Sequence, residues 1–97
     1  MNEEISLVIL IERKEGKRQE QIDTYKELAP IVLQETGCLQ YELKEVEGNE
    51  NQFILIEKWA SKKDSDAHDI TPHMIEADKL SPSFINKPAT VYILKGV

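Results

Sequence analysis

The feature that most constrains the fold of this chain is an apolar run near its start, from Ile5 to Ile11. Successive side chains of a strand point to opposite faces of a sheet. The run is apolar and rich in β-branched residues at both odd and even positions, which is typical of a strand that is covered on both faces. A membrane-spanning helix needs about 20 apolar residues, so the run predicts a buried strand instead.

A helix and a β-hairpin are predicted next. From Gly16 to Thr36, apolar residues recur every three or four positions, which is the spacing of one helix face, and Gly37 suits the helix end. Cys38 to Val46 alternates between apolar and polar residues and predicts a strand with one solvated side. Gly48-Asn49 favours a tight turn, and Gln52 to Trp59 is the returning strand.

Two short helices and a last strand complete the pattern. Ser61 to Asp64 has the spacing of a capping box, which predicts a helix that runs to about Asp69. Thr71-Pro72 predicts a second helix start with Pro at the first helical position, and this helix ends before Ser81-Pro82. Thr90 to Lys95 predicts the final strand. The order βαββαβ indicates an α+β, ferredoxin-like fold with both helical segments on one face of a four-stranded antiparallel sheet.

The other face of that sheet implies a partner. The first, third and last strands are apolar at both odd and even positions, so about six aliphatic or aromatic side chains would meet water in a monomer. Covering each one stabilises the assembly by roughly 1.5 to 3 kcal/mol. We therefore expect a homodimer whose two sheets face each other. The length of 97 residues predicts a single domain, residues 1–97.

Composition narrows the remaining partners. The chain has 12 Lys and Arg against 18 Asp and Glu, a net charge of -6, which disfavours binding to nucleic acid or to an anionic membrane. Its single cysteine, Cys38, excludes an internal disulfide, and we expect a cytoplasmic protein. The sequence contains no glycine-rich phosphate loop, so we expect no nucleotide cofactor.

Three stretches of the sequence resemble the antibiotic biosynthesis monooxygenase family: Glu35 to Tyr41, Phe53 to Trp59, and Ala67-His68 with Thr71-Pro72-His73. The resemblance extends over nearly the whole chain. It implies a dimeric α+β barrel and, in the small quinol-monooxygenase-like branch, oxidation of phenols or hydroquinones by molecular oxygen without metal or flavin. Relatives that oxidise polyketides or degrade haem carry an asparagine in the first strand, where Ser6 is the only polar residue here. The resemblance therefore implies neither of those two activities.

The predicted function is a cofactor-independent monooxygenase that acts on a small hydroquinone-like or polyphenolic molecule. A deprotonated, electron-rich phenol can itself pass electrons to oxygen, so the protein has to supply only a base, an apolar pocket and a donor that stabilises the anion. Two alternatives remain open. One is a non-oxidative, isomerase-type enzyme that moves a proton on a small carbonyl compound. The other is a non-catalytic dimer that binds a small ligand.

His68 and His73 are the predicted catalytic bases, because imidazole exchanges its proton near neutral pH. On one continuous helix the two positions would lie about 140° apart. The break at Thr71-Pro72 can turn both towards one pocket. The pair has no third ligand at a suitable spacing, so we expect no metal site.

Three residues are predicted to contact the substrate, and each has a structural alternative. Trp59 can form the wall of an aromatic pocket, or it can pack in the core. Glu57 stands on an apolar strand face, where a carboxylate needs an ion pair, a solvated cavity or a proton; its alternative is a salt bridge, within the chain or across the dimer. Tyr41 can donate a hydrogen bond to a substrate oxygen, or it can be buried with its own partner.

Overall fold

A computed structural model describes residues 4–97, which contain four strands and three α-helices. Residues 1–3, which the single-domain prediction includes, lie outside the described residues. In chain order the elements are β1 (Ile5–Glu12), α1 (Arg18–Val32), β2 (Cys38–Val46), β3 (Asn49–Trp59), α2 (Lys62–Asp69), α3 (Pro72–Leu80), a 3₁₀ turn (Ser81–Ser83) and β4 (Thr90–Leu94). None of the described helices is long and apolar enough to span a membrane.

The largest differences from the predicted bounds are at the end of α1 and at the start of β3. Helix α1 ends at Val32 rather than near Thr36, and Leu33 beyond it is half exposed. Strand β3 begins at Asn49, so the hairpin turn consists of residues 47 and 48. Gly48 supplies the positive φ of +82° that this turn requires.

The strands form one antiparallel sheet in the order β2-β3-β1-β4. Strand β1 lies in the interior of the sheet, between β3 and β4, as its apolar run predicts. Strands β2 and β4 form the two edges. This order and the antiparallel pairing confirm the predicted ferredoxin-like α+β fold.

The helices and the hydrophobic core lie on one face of the sheet. The sheet contributes buried side chains from odd-numbered positions of its two inner strands, and these are Leu7, Ile11, Phe53, Leu55 and Trp59. Ala29 and Val32 of α1 join this cluster, and Met74 of α3 packs against it. The core is therefore one layer between the sheet and its helices.

The opposite face of the sheet, the open face, has none of the described helices over it. The register of β1 with its two neighbours places six apolar side chains there, and these are Val8, Leu10, Ile54, Ile56, Tyr92 and Leu94. Leu10, Tyr92 and Leu94 are 38%, 52% and 45% exposed. The open face is thus an apolar surface, as the strand patterns predict.

Local motifs hold the α1–β2 turn and the two short helices together. The Ser61 hydroxyl accepts a hydrogen bond from the Asp64 N–H at 3.2 Å, and the Thr71 hydroxyl accepts one from the Met74 N–H at 3.4 Å, which confirms both predicted helix starts. Gly37, with a φ of +79°, lies so close to α2 that an added Cβ would be 2.1 Å from an Asp64 carboxylate oxygen. This contact packs the α1–β2 turn against the start of α2.

Candidate active site

A cavity of about 550 Å³ lies between the helix-bearing face of the sheet and the chain from α3 to residue 89. A volume of this size is typical of small-molecule sites. Its apolar lining includes Ile9, Ile11, Leu55, Met74, Phe84 and Ile85. Its polar lining includes Gln21, Tyr41, Glu57 and His68. The cavity therefore combines apolar surface with hydrogen-bonding and titratable groups.

His68 lies at the polar end of this cavity, and its orientation is fixed from behind. Its side chain is 2% exposed, and its Nδ1 lies 2.9 and 3.0 Å from the two oxygens of Glu35. A carboxylate can only accept hydrogen bonds, so Nδ1 carries the proton of the neutral ring and Nε2 carries the lone pair. His68 therefore has its basic nitrogen on the side away from Glu35.

Glu57 lies on that side of the His68 ring. One oxygen of Glu57 is 4.0 Å from His68 Nε2 and accepts a hydrogen bond from the Trp59 indole N–H at 2.9 Å. Burial raises the pKa of Glu57 above its usual value, although the Trp59 hydrogen bond and the nearby His68 act in the opposite direction. Glu57 thus lines a cavity and also has partners within the chain, Trp59 and His68. These are two of the situations that the sequence analysis considered for a carboxylate on an apolar strand face.

His73 and His68 both contact the Glu35 carboxylate, and His73 does not line the cavity. Its Nε2 lies 2.7 Å from Glu35 Oε2 and 3.1 Å from the Thr71 hydroxyl, which itself donates to the His68 carbonyl at 2.8 Å. The break between α2 and α3 therefore does bring the two rings to one point. His73 is not among the residues that line the cavity.

Trp59 is not among the residues that line this cavity, and its predicted contact with a substrate stays a prediction. Its side chain is fully buried, and it is absent from the cavity lining. The ring instead lies against His68, with 4.7 Å between the ring centroids. Strand parity placed Trp59 on the correct face, but parity does not say how deep a side chain lies. Trp59 lies beneath the site, where it packs against His68 and donates a hydrogen bond to Glu57.

Tyr41 lines the cavity next to the edge of the His68 ring, with 5.9 Å between the ring centroids. Its predicted hydrogen bond to a substrate oxygen stays a prediction. Burial and the neighbouring Glu57 raise the pKa of Tyr41 far above its usual value, so its hydroxyl stays protonated at neutral pH. Tyr25 stacks on the Tyr41 ring and donates a hydrogen bond to the Tyr41 carbonyl at 2.9 Å. Tyr25 thus holds Tyr41 in place at the cavity wall, where the protonated Tyr41 hydroxyl can donate a hydrogen bond.

Two site residues were not singled out by the sequence analysis. Glu35 lies in the α1–β2 turn, and no spacing rule links it to histidines 33 and 38 positions later. Gln21 lines the cavity, and its buried side-chain oxygen has no partner among the described residues. A polar residue on the inner side of an amphipathic helix was the available signal for Gln21. The sequence analysis expected no metal site because it found no third ligand beside the two histidines. In the folded chain Glu35 offers that third ligand atom.

One family model matches most of the chain. The model of the family described as antibiotic biosynthesis monooxygenase matches residues 5–80. The uncharacterized protein sll1783 of Synechocystis is 32% identical over 85 residues, which are 88% of this chain and 58% of that protein, so the chain spans less than two thirds of that relative. A Bacillus subtilis protein named "Putative monooxygenase YcnE" is 35% identical over 69 residues, 71% of this chain and 73% of that one.

A solved structure agrees on the fold. PA3566 from Pseudomonas aeruginosa superposes with a TM-score of 0.90 at 21% identity, and the match covers 100% of this chain and 97% of that one. At this identity the similarity concerns the fold alone. It shows that the sheet order and the helix layer described above occur in a protein of nearly the same length.

Proposed function

Because the chain belongs to the antibiotic biosynthesis monooxygenase family, we propose that it oxidises a small hydroquinone-like or polyphenolic molecule with molecular oxygen and without a cofactor. The family and the name of the Bacillus relative support a monooxygenase-like role at the level of the family. The proposal goes further and assigns the substrate class, the cavity and the base.

The observation that carries the proposal is the orientation of His68. Glu35 fixes the ring through Nδ1. The other ring nitrogen, Nε2, faces Glu57, which lines the cavity. A general base needs a free lone pair on a fixed ring, at a place that a substrate can reach. When His68 accepts a proton, the resulting imidazolium lies between the carboxylates of Glu35 and Glu57, which stabilise its charge.

The reaction balances with oxygen as the only oxidant. His68 Nε2 takes a hydroxyl proton from a hydroquinone, and the phenolate passes one electron to oxygen. The semiquinone and superoxide then combine, so that a C–O bond forms at a ring carbon. His68 gives its proton to the outer oxygen of this peroxide, and the O–O bond then breaks as hydroxide leaves. The ring carbon loses its hydrogen as a proton, which converts the hydroxide to water. One oxygen atom stays in the hydroxyquinone product, and the other leaves as water.

Two further cavity residues suit a phenolic substrate. The protonated Tyr41 hydroxyl can donate a hydrogen bond to an oxygen that becomes negative during the reaction. The side-chain oxygen of Gln21, which has no partner within residues 4–97, can accept a hydrogen bond from a second substrate hydroxyl. A molecule with two hydroxyl groups on an aromatic ring would satisfy both residues, while its ring would lie against the apolar lining.

The proposal includes the assembly and the compartment. Six apolar side chains on the open face would be buried if two copies met sheet to sheet. A homodimer is thus the proposed working form. The only cysteine, Cys38, is unpaired, which fits a reducing compartment, and we propose the cytoplasm.

Oxygen consumption tests the proposal. The native chain would be assayed with a panel of hydroquinones and anthrones in chelator-treated buffer, beside His68→Ala and His73→Ala. We expect uptake with at least one substrate and a fall in kcat of about 10²-fold or more for His68→Ala, the usual contribution of a general base. His73 does not line the cavity, so His73→Ala should lose less. No uptake with any substrate would refute the proposal and favour one of the two non-oxidative alternatives.

A further inference from the structure

We propose that Glu35, His68 and His73 form a binding site for a divalent transition-metal ion such as Zn²⁺ or Co²⁺. The ligand atoms are a Glu35 carboxylate oxygen, His68 Nδ1 and His73 Nε2, and all lie within 4.8 Å of one another. They come from the α1–β2 turn, from α2 and from the start of α3. The site lies behind His68, on the side of the ring opposite the cavity.

The donor set selects the class of metal. Two imidazole nitrogens and one carboxylate oxygen suit Zn²⁺, Co²⁺, Ni²⁺ and Cu²⁺, whereas Mg²⁺ and Ca²⁺ prefer oxygen alone. Three protein ligands also leave a coordination position for water. The His68 ring is already held by contacts with Trp59 and Tyr41, so one nitrogen is placed before the ion arrives.

Only a small movement separates the present arrangement from a coordinated one. The histidine nitrogens lie 2.9 and 2.7 Å from Glu35 Oε2. Around a tetrahedral ion with bonds of about 2.0 Å, ligand atoms lie roughly 3.3 Å apart. Each of these two pairs therefore has to open by about half an ångström. The two histidine nitrogens, which lie within 4.8 Å of each other, have to reach the same separation.

The ion can reach this site without passing through the cavity. The side chains of His73 and Glu35 are 22% and 14% exposed, whereas that of His68 is 2% exposed. Neither His73 nor Glu35 lines the cavity. Metal and substrate therefore approach His68 from opposite sides and do not exclude each other by contact.

Metal binding would nevertheless switch off the base, and this step rests on the proposed function. Without metal, the Nδ1 proton of His68 points to Glu35 and the lone pair is on Nε2. An ion bound at Nδ1 takes the lone pair there, so the ring proton moves to Nε2 on the Glu57 side. His68 then faces the cavity as a donor and cannot accept a substrate proton.

Tryptophan fluorescence tests the site independently of any activity. Trp59 is the only tryptophan of the chain, and its ring lies 4.7 Å from His68, so a paramagnetic Co²⁺ ion at the site would quench it. We expect saturable quenching of the tag-free chain by Co²⁺, reversal by Zn²⁺, and no effect of Mg²⁺. His73→Ala and Glu35→Gln should each weaken Co²⁺ binding at least tenfold.

The matched control is Cys38→Ser, which removes the only thiol and should leave Co²⁺ binding unchanged. Equal affinity in the native chain and in His73→Ala, or an absence of quenching at millimolar Co²⁺, would overturn the metal site. Zn²⁺ should also inhibit oxygen uptake at the concentration at which it displaces Co²⁺, and stimulation would overturn the proposed switch. Metal binding without oxygen uptake under any condition would refute the proposed oxidation and leave the metal site standing.

Discussion

At the scale of single residues, the carboxylate of Glu35 organises the candidate site. It receives hydrogen bonds from both histidines of the chain, at 2.7 to 3.0 Å. This arrangement decides which nitrogen of His68 is free, and so it decides which side of the ring can act as a base. Glu35 is not among the residues that line the cavity, so the role we propose for it is that of a positioning residue.

Glu35→Gln tests this positioning role. The amide is nearly the same size but is uncharged, and its N–H groups can face the histidines, so the His68 tautomer is no longer fixed. We expect kcat for hydroquinone oxidation to fall by about 10- to 100-fold, the usual effect of losing a supporting partner, with KM nearly unchanged. Glu27→Gln, on the exposed side of α1, is the matched control. A rise in KM alone would contradict the role.

Cys38 gives a pH-dependent prediction. Burial raises the pKa of its thiol, and the negative charge of Glu35 acts in the same direction. Because the thiolate is the reactive form, the folded chain should contain less of it than the unfolded chain at any pH near 8. The rate of alkylation by iodoacetamide should therefore rise at higher pH in the native chain than in denaturant. Identical pH profiles in the two states would contradict the prediction.

At the scale of elements, the site depends on how the α1–β2 turn packs against the start of α2. Gly37 makes the turn with a positive φ and packs against Asp64, and the Gly37 carbonyl accepts a hydrogen bond from the Ala60 N–H at 2.8 Å. Glu35 lies two residues before this contact. The turn therefore places the Glu35 carboxylate next to His68, and the break between α2 and α3 places His73 next to the same carboxylate.

Gly37→Ala should damage both stability and the site. The φ of +79° disfavours an alanine, and its Cβ would lie within 2.7 Å of three Asp64 side-chain atoms. We expect the free energy of unfolding to fall by about 1–3 kcal/mol, measured by urea denaturation. Gly48→Ala is the control, because that glycine has a similar φ of +82° but no atoms within 4 Å. An equal loss in both variants would show that the Asp64 contact contributes nothing.

The elements were largely predictable from the sequence, whereas the site was only partly so. Patterning and caps depend on near neighbours, so the strands, the break at Thr71-Pro72 and the open face followed from them. Tyr41, Glu57 and His68, which line the cavity, were singled out because polar groups stand out on predicted apolar faces or near helix breaks. Glu35 was not singled out because its contacts are made only in the folded chain. Trp59 lies deeper than the cavity wall, and strand parity could not show this because depth in a core depends on what packs above it.

At the scale of the whole molecule, the open face determines how the chain is expected to exist in solution. A sheet with six apolar side chains on an uncovered face exposes more apolar surface than a monomer of this size normally does. The edge strand β4 is exposed along its whole length. A second copy placed sheet to sheet would cover the open face, and the cavity on the helix side would stay accessible.

Ile56→Glu tests the proposed dimer. The residue lies on the open face opposite Val8, so a sheet-to-sheet dimer would bury its charge without a partner. We expect the native chain to sediment as a dimer at micromolar concentration and the variant as a monomer. Ile70→Glu is the matched control, because Ile70 is 75% exposed between α2 and α3 and lies off the open face. A native chain that sediments as a monomer would contradict the assembly.

The proposed function requires that this chain inserts oxygen into a hydroquinone-type substrate by means of His68. It can be tested by mass spectrometry of the product formed under ¹⁸O₂ in chelator-treated buffer. We expect one heavy oxygen atom in each product molecule and labelled water from the other, with product formation strongly reduced in His68→Ala. A product without label, or equal labelling rates in the native chain and His68→Ala, would contradict it.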